Sequence, residues 1–247
     1  MKFIVCVKEV PDTAEVRLDP ETNTLVREGV PSIISPFDMY ATEEALRMKD
    51  EHGGEVIAFS MGPLGVENNL RNLIAMGVDK AYLVSDRDFA GSDTLATSTV
   101  LSSAIKKLEP DYSIIFVGRQ AIDGDTGQVG PGIAELLDIP QVMYVRKTLS
   151  INENKAIFLR ILGEVREEVE SQLPCLISLL KGENEPRLPS LRGMMKAKKA
   201  EIVKVTNQEL NIPTENCGLD GSPTRVIKVF TPPPKGKAEI FDDKKDI

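Results

Sequence analysis

The sequence predicts an α/β fold: a mainly parallel sheet with helices on both faces, followed by a β-rich extension and an extended tail. Three observations predict it. Up to about Ile139, compact β-rich runs alternate with stretches of helical periodicity, at the spacing of right-handed crossovers between parallel strands. Glycine and proline punctuate the junctions. Beyond Ile139 the helical periods give way to successive short strand-like runs.

The first strand is Phe3-Ile4-Val5-Cys6-Val7, a continuous run suited to burial on both faces. A polar segment over residues 11–31 carries turn signals at Asp19-Pro20 and Glu28-Gly29. A helix then starts at Pro36, with Ser35 placed to cap it and Asp38 three residues further on. Phe37, Tyr40, Ala41, Ala45 and Met48 recur at helical spacing, and Gly53-Gly54 stops the helix. Residues 56–61 form the next strand, broken at Gly62-Pro63. Val66, Leu70, Leu73 and Ile74 mark a second amphipathic helix that ends at Gly77. Residues 81–84 are a short strand, and Ser92-Asp93-Thr94 begins a helix striped with Val100, Leu101, Ala104, Ile105 and Leu108. Residues 113–117 are a fourth strand, followed by a glycine-rich loop and a helix over 130–137.

Residues 142–145, 156–161, 165–169 and 175–180 read as short strands with tight turns, an antiparallel extension of the sheet. Residues 1–180 are thus expected to form the α/β domain with its extension, and 181–247 a basic segment and tail. Residues 181–205 hold seven basic and three acidic side chains, a local net charge of +4 in a chain of net charge -8. Thr231-Pro232-Pro233-Pro234-Lys235-Gly236 is extended, because consecutive prolines cannot be helical.

Composition narrows the chemistry. Lys and Arg number 30 against 38 Asp and Glu, so nucleic acid is disfavoured as the main partner. Three distant cysteines, Cys6, Cys175 and Cys217, make neither a disulfide framework nor a zinc site and suit a reducing cytoplasm. His52 is the one histidine, in a sequence that reads as a frayed helix end, so a multi-histidine metal site is excluded. No apolar run is long enough for a membrane span, and the N-terminal one is too soon broken by charge for a signal peptide. No acid, base or nucleophile stands out as catalytic, and any redox chemistry is expected from a bound cofactor.

The most informative stretch is Gly118-Arg119-Gln120-Ala121-Ile122-Asp123-Gly124-Asp125-Thr126-Gly127-Gln128-Val129-Gly130-Pro131-Gly132. It follows a buried parallel strand and opens a helix, which is where open α/β sheets bind ligands. Its glycines let backbone N–H groups approach an anion, the helix N-terminus adds partial positive charge, and Thr126 and Gln128 can hydrogen-bond a phosphate. No Gly-Lys-Ser/Thr ending is present, Glu135 stands where a dinucleotide fingerprint needs its third small residue, and Gln128 and Ala134 break a calcium-loop pattern. A nucleotide-phosphate loop and a plain strand-to-helix turn both remain open on spacing alone. Cys6-Val7, Ser35 to Asp38, Ser60-Met61 and Asp93-Thr94 fall at the same edge of the sheet. In the basic segment, Leu188, Leu191, Met194 and Met195 interleave with the charges, a pattern of either a solvated charged face or a transient docking surface.

Together these motifs resemble the β subunit of electron-transfer flavoproteins. The resemblance is carried by Val5-Cys6-Val7-Lys8 with Val10-Pro11-Asp12, by Ser35-Pro36-Phe37-Asp38 with Glu43-Glu44-Ala45, and by Met61-Gly62-Pro63 and Ala75-Met76-Gly77. The loop from Gly118 and the run from Asn184-Glu185-Pro186-Arg187 to Met195-Lys196-Ala197-Lys198-Lys199 are its most specific parts. It implies a Rossmann-like, adenine-nucleotide α-hydrolase-like fold and a heterodimer with a larger FAD-binding α subunit. It also implies a nucleotide held by Cys6, Ser35, Asp38, Met61, Gly118, Gln120, Ala121, Asp123, Gly124, Asp125, Thr126, Gly127, Gln128 and Val129. Leu188, Leu191 and Met194 match the family's recognition loop for partner dehydrogenases, such as an acyl-CoA dehydrogenase-like protein, and the C-terminal tail stands in the place of the family's arm on the α subunit but is shorter than it.

Two segments, residues 123–131 and residues 89–97, resemble the flavin-bifurcating branch. That branch implies FAD in this site, with Asp93, Thr94 and Thr97 near the flavin ring, NADH as hydride donor, and ferredoxin or flavodoxin as the low-potential acceptor. The alternative within the family is a structural AMP. An alternative outside it is a stand-alone nucleotide sensor or adenylate-transferring enzyme.

Overall fold

The computed structural model describes residues 1–12, 17–18, 25–26, 31–183 and 185–227. The expected turns at Asp19-Pro20 and Glu28-Gly29 and the proline-rich run after Thr231 lie outside the described residues.

The elements in chain order are strand β1 (Lys2–Cys6), β2 (Glu9–Pro11), β3 (Arg17–Leu18), β4 (Leu25–Val26), β5 (Ser32–Ile34), helix α1 (Pro36–His52), β6 (Glu55–Met61), α2 (Glu67–Met76) and β7 (Lys80–Val84). Then follow α3 (Thr94–Leu108), β8 (Ile114–Gly118), α4 (Val129–Leu137), β9 (Gln141–Ile151), β10 (Lys155–Leu162), β11 (Val165–Gln172), β12 (Cys175–Leu179), α5 (Leu191–Lys199), β13 (Ile202–Val205) and α6 (Asn207–Leu210). Nine strands form one sheet in the order β11-β10-β9-β12-β8-β1-β6-β7-β13. From β9 to β13 every neighbouring pair is parallel; β10 is antiparallel to both β9 and β11.

Strand alternation sorts the core onto the two faces. Phe3 and Val5 of β1 point to a layer with Ala41, Ala45 and Leu46 of α1 and Leu70 and Leu73 of α2. Ile4 and Cys6 point the other way, onto Val100, Ala104 and Ile105 of α3 and Ile133 of α4. Helices cover both faces, as the continuous apolar runs of β1 and β8 require. The chain order reverses beside β1: β6 and β7 extend the sheet to one side, while β8 crosses to the other. This opens a crevice at the carboxyl ends of β1 and β8, where such sheets take ligands.

Three expectations need correction. Residues 175–180 are not part of an antiparallel extension: β12 lies inside the parallel sheet between β8 and β9, all five of its residues buried. Its pattern is that of any buried strand, and only the long-range pairing with β8 shows where it belongs. The antiparallel part is the β10–β11 hairpin built out from β9. Ser35 stands at the N-cap of α1 but makes no side-chain cap; its hydroxyl is buried without a hydrogen-bond partner among the described residues. The segment beyond residue 180 also supplies a sheet edge that the sequence reading lacks, since β13 pairs in parallel with β7.

Candidate functional site

The crevice is a cavity of about 980 Å³ over the carboxyl ends of β1, β6, β7 and β8. Cys6 closes its floor beside Val117 at the end of β8, and Asp38 and Met61 enter from α1 and β6. Asp93, Thr94 and Thr97 form the wall at the start of α3. Gly118, Gln120, Ala121, Gly124, Thr126, Gly127, Gln128 and Val129 form the wall from β8 to α4. Ser35, Asp123 and Asp125 do not line it. Ser35 is fully buried at the N-cap of α1, Asp123 pairs with Lys8 at 2.8 Å, and Asp125 is engaged by Gln120. Leu64, Arg87 and Val226 line the cavity without having been singled out in the sequence, while Lys8, Phe89, Leu101 and Arg119 were quoted only within longer motifs and not as individual site residues. Lys8, Leu64, Arg87 and Arg119 follow strand ends and were legible by that rule; Val226 comes from across the fold and was not.

Asp38 joins the two central strands. Its Oδ2 accepts from Lys8 N at 2.7 Å and its Oδ1 from Gly118 N at 3.0 Å. A Cβ on residue 118 would stand 2.3 Å from that Oδ1, so only glycine lets the carboxylate reach both strand ends. Burial pushes the Asp38 carboxyl up to about 7, against the pull of the two N–H groups and the Lys8 charge, with Asp123 adding to the rise.

The loop between β8 and α4 owes its shape to local geometry. Gly127 has φ 62°, a left-handed conformation that favours glycine. A Cβ at Gly130 would meet Val117 at 2.8 Å and one at Gly132 would meet Ser98 at 2.5 Å, so these glycines let α4 pack closely on β8 and α3. Gly124 meets nothing within 4 Å. Of the glycines expected to make room for an anion, therefore, three are filled by protein atoms and Gly124 alone faces open space. The N-terminus of α4 has no side-chain cap and no acid in its first turn, so its partial positive charge is left for the cavity. Thr94 donates to Gln128 Oε1 at 2.9 Å, tying the two walls together.

The opposite wall is closed by the protein itself. Asp93 Oδ1 accepts from Leu95 N and Ala96 N at 3.0 and 3.1 Å, the N-cap of α3. Its Oδ2 accepts from Thr224 N and Oγ1 at 3.0 and 2.7 Å, and Asp93 N donates to Ser222 Oγ at 2.8 Å. Burial alone would raise this carboxyl, but the hydrogen bonds outweigh it and hold it below its ordinary value. Asp93 thus presents the cavity with a fixed negative charge whose oxygens serve protein donors. The segment carrying Ser222, Thr224 and Val226 is strapped over the α3 entrance.

The chain matches the electron transfer flavoprotein domain over residues 22–210. It is 51% identical over 98% of its length to the electron transfer flavoprotein subunit beta of Thermoanaerobacterium thermosaccharolyticum, covering 92% of that protein. The chain belongs to the electron transfer flavoprotein family. FixA of Sinorhizobium fredii is 48% identical over 98% of this chain and 87% of its own length. CarD, a subunit of the caffeyl-CoA reductase-Etf complex of Acetobacterium woodii, is 47% identical over 98% of this chain and 92% of its own. The parallel sheet and flanking helices are the α/β architecture of this family, and the alignment with beta subunits makes this an EtfB-like electron-transfer protein.

In the EtfB-like chain the basic segment forms a helix, α5, over Leu191–Lys199, with Leu188 in the irregular lead-in before it. Leu188 and Leu191 are 88% and 80% exposed, with Met194 and Met195 beside them on α5. The helix is fixed from beneath. Ser190 caps it through Gly193 N, Arg71 donates to Ala197 O and Ala200 O at 2.9 and 2.7 Å, and a Cβ on Gly193 would stand 2.0 Å from Ala75 O. The lead-in is clamped by Glu43, which is buried and takes the backbone N–H and a two-pronged guanidinium from Arg187. Among the described residues no helix is long and apolar enough to cross a membrane, and no group of three His, Cys, Asp or Glu side chains could hold a metal ion.

Proposed function

We propose that this chain holds FAD in the cavity and forms a heterodimer with an FAD-binding α subunit. In that complex it takes part in splitting electrons from NADH between the α-subunit flavin and a low-potential acceptor such as ferredoxin or flavodoxin. The observation that carries this reading is the size and polarity of the cavity. At about 980 Å³ it lies at the upper end of the usual ~300–1,000 Å³ for cofactor sites, a size that admits a dinucleotide. Gly124 leaves open space where a phosphate chain approaches the uncapped start of α4, and Lys8 and Arg119 stand at that end. The other end is apolar, with Leu64, Phe89 and Leu101, suited to a planar ring. The residues fit the group.

When bound, the flavin supplies hydride acceptance and single-electron release. The residues of the chain do the rest. Backbone groups of the loop after β8 and the α4 N-terminus bind phosphate, and Gln128 and Thr94 hold the two walls in register. Phe89, Leu101 and Met61 exclude water. Asp93, fixed by four hydrogen bonds, sets a constant negative charge that disfavours a second anion near the α3 entrance. Leu188, Leu191 and Met194 dock the partner dehydrogenase, with the surrounding Lys and Arg steering encounter with an acid-rimmed surface.

The name of the CarD relative, part of a reductase-Etf complex, supports an assembly of this kind. The test is a count of nucleotides released from the co-purified heterodimer. Two FAD per heterodimer, with bleaching of both by NADH, is the expected result; one FAD and one AMP would replace this reading with a structural role for the site.

A further inference from the structure

Strand β9, separated by β12 from the cavity-lining end of β8, contains an irregularity. Its pairing with β12 runs Ile177 to Val142 and Leu179 to Val145, so Met143 and Tyr144 stand opposite the single residue Ser178. That is a β-bulge, a device that re-aims a side chain next to a site. The extra residue, Tyr144, has φ 63°, the left-handed region in which glycine would sit without strain. Its N–H leaves the ladder and donates to Ser178 Oγ at 3.0 Å. The side chain gained by keeping tyrosine there lies under the Arg119 guanidinium, 5.8 Å from ring centroid to Cζ. Arg119 is also held at its backbone, where its N–H donates to Leu179 O at 2.8 Å, one residue from the bulge. Among the described residues no ion pair joins Arg119 to a carboxylate, and it lines the cavity directly after β8.

From these observations we propose that Arg119 pairs with a phosphate of the bound nucleotide, and that Tyr144 is the positioning residue that aims it. This deepens the nucleotide reading of the cavity and rests on it. A bare guanidinium on a solvent-exposed stem samples many rotamers; an aromatic face beneath it removes most of them, so less freedom is lost when the anion arrives. The strain in β9 is the structural cost of that alignment.

The experiment measures dissociation constants of the full chain for ADP and, as an uncharged control, adenosine. Arg119→Gln should weaken ADP about 10-fold and leave adenosine unchanged, the loss expected for a charge-assisted contact. Tyr144→Leu should weaken ADP about 3-fold with adenosine again unchanged, and should have no further effect on Arg119→Gln. Tyr144→Phe, which keeps the ring, should restore wild-type affinity. Tyr144→Gly, free of the backbone strain, should melt no lower than the wild type yet bind ADP as the Leu variant does, which separates aiming from folding. An unchanged ADP-to-adenosine ratio in Arg119→Gln, or in both Tyr144→Leu and Tyr144→Gly, overturns this inference alone. A wild-type chain that binds neither compound nor FAD overturns the nucleotide reading as well.

Discussion

Asp38 shows how a residue can satisfy a sequence pattern while serving another purpose. Ser35-Pro36-Phe37-Asp38 reads as a helix start, and a helix does start there, yet the carboxylate turns away from the helix to join Lys8 N and Gly118 N. Nothing local announces that reach of 80 residues along the chain. Its consequence is a pH dependence. The folded chain holds the Asp38 proton up to about 7, whereas an unfolded aspartate releases it near ~4. The contribution is therefore fully present below the unfolded value and lost as pH rises through about 7. Urea midpoints of the wild type should fall between pH 5 and pH 8, and Asp38→Asn should flatten that slope. Asp93 and Glu109, whose carboxyls are held below their ordinary values, lose their contributions only in more acid solution and do not confound the window. Parallel slopes in the two proteins would mean that Asp38 is ionised throughout.

At the scale of elements, the amphipathic helices and apolar strands were legible because each carries its own periodicity. The placement of β12 was not, because a strand buried on both faces has the same composition wherever it pairs. Nor was β13, whose Ile202-Val203-Lys204-Val205 follows a lysine run that masks it. For α5, charge and hydrophobicity were readable but not the fixing of the helix, which depends on Glu43 and Arg71 from distant helices. Arg187→Ala would leave the buried Glu43 without its charge partner, holding only the backbone N–H of residue 187, and should destabilise the chain by about 3 kcal/mol in chemical denaturation. Adding Glu43→Gln should recover much of that loss, since the stranded charge is then gone. Leu191→Ala, at an 80% exposed position, should leave the midpoint unchanged while slowing electron transfer to the proposed partner dehydrogenase at constant flavin content. Equal losses in all three measurements would make Leu191 a folding residue.

Over the whole molecule, the candidate site follows from topology more than from any one motif. The loop after Gly118 was the strongest signal in the sequence, but its glycines at 118, 130 and 132 serve packing, and the space they were expected to provide comes from the reversal of strand order beside β1. The same topology ranks the parts of the sheet by stability. β1 and β8 are flanked by strands on both sides and by helices on both faces, and every residue of β8 is buried. β11 is one of the two sheet edges, pairs only with β10, and buries Ser171 alone. Exchange of its amides needs only local opening of a hairpin, whereas exposing β8 means breaking both core layers. Hydrogen exchange followed by mass spectrometry should show β11 exchanging orders of magnitude faster than β8, with β1 matching β8. Added FAD should slow exchange in the loop after β8 and at the start of α3 and leave the β10–β11 hairpin unaltered, because that hairpin contributes nothing to the cavity wall. Protection that spreads to the hairpin would show that the cavity and the extension open as one unit.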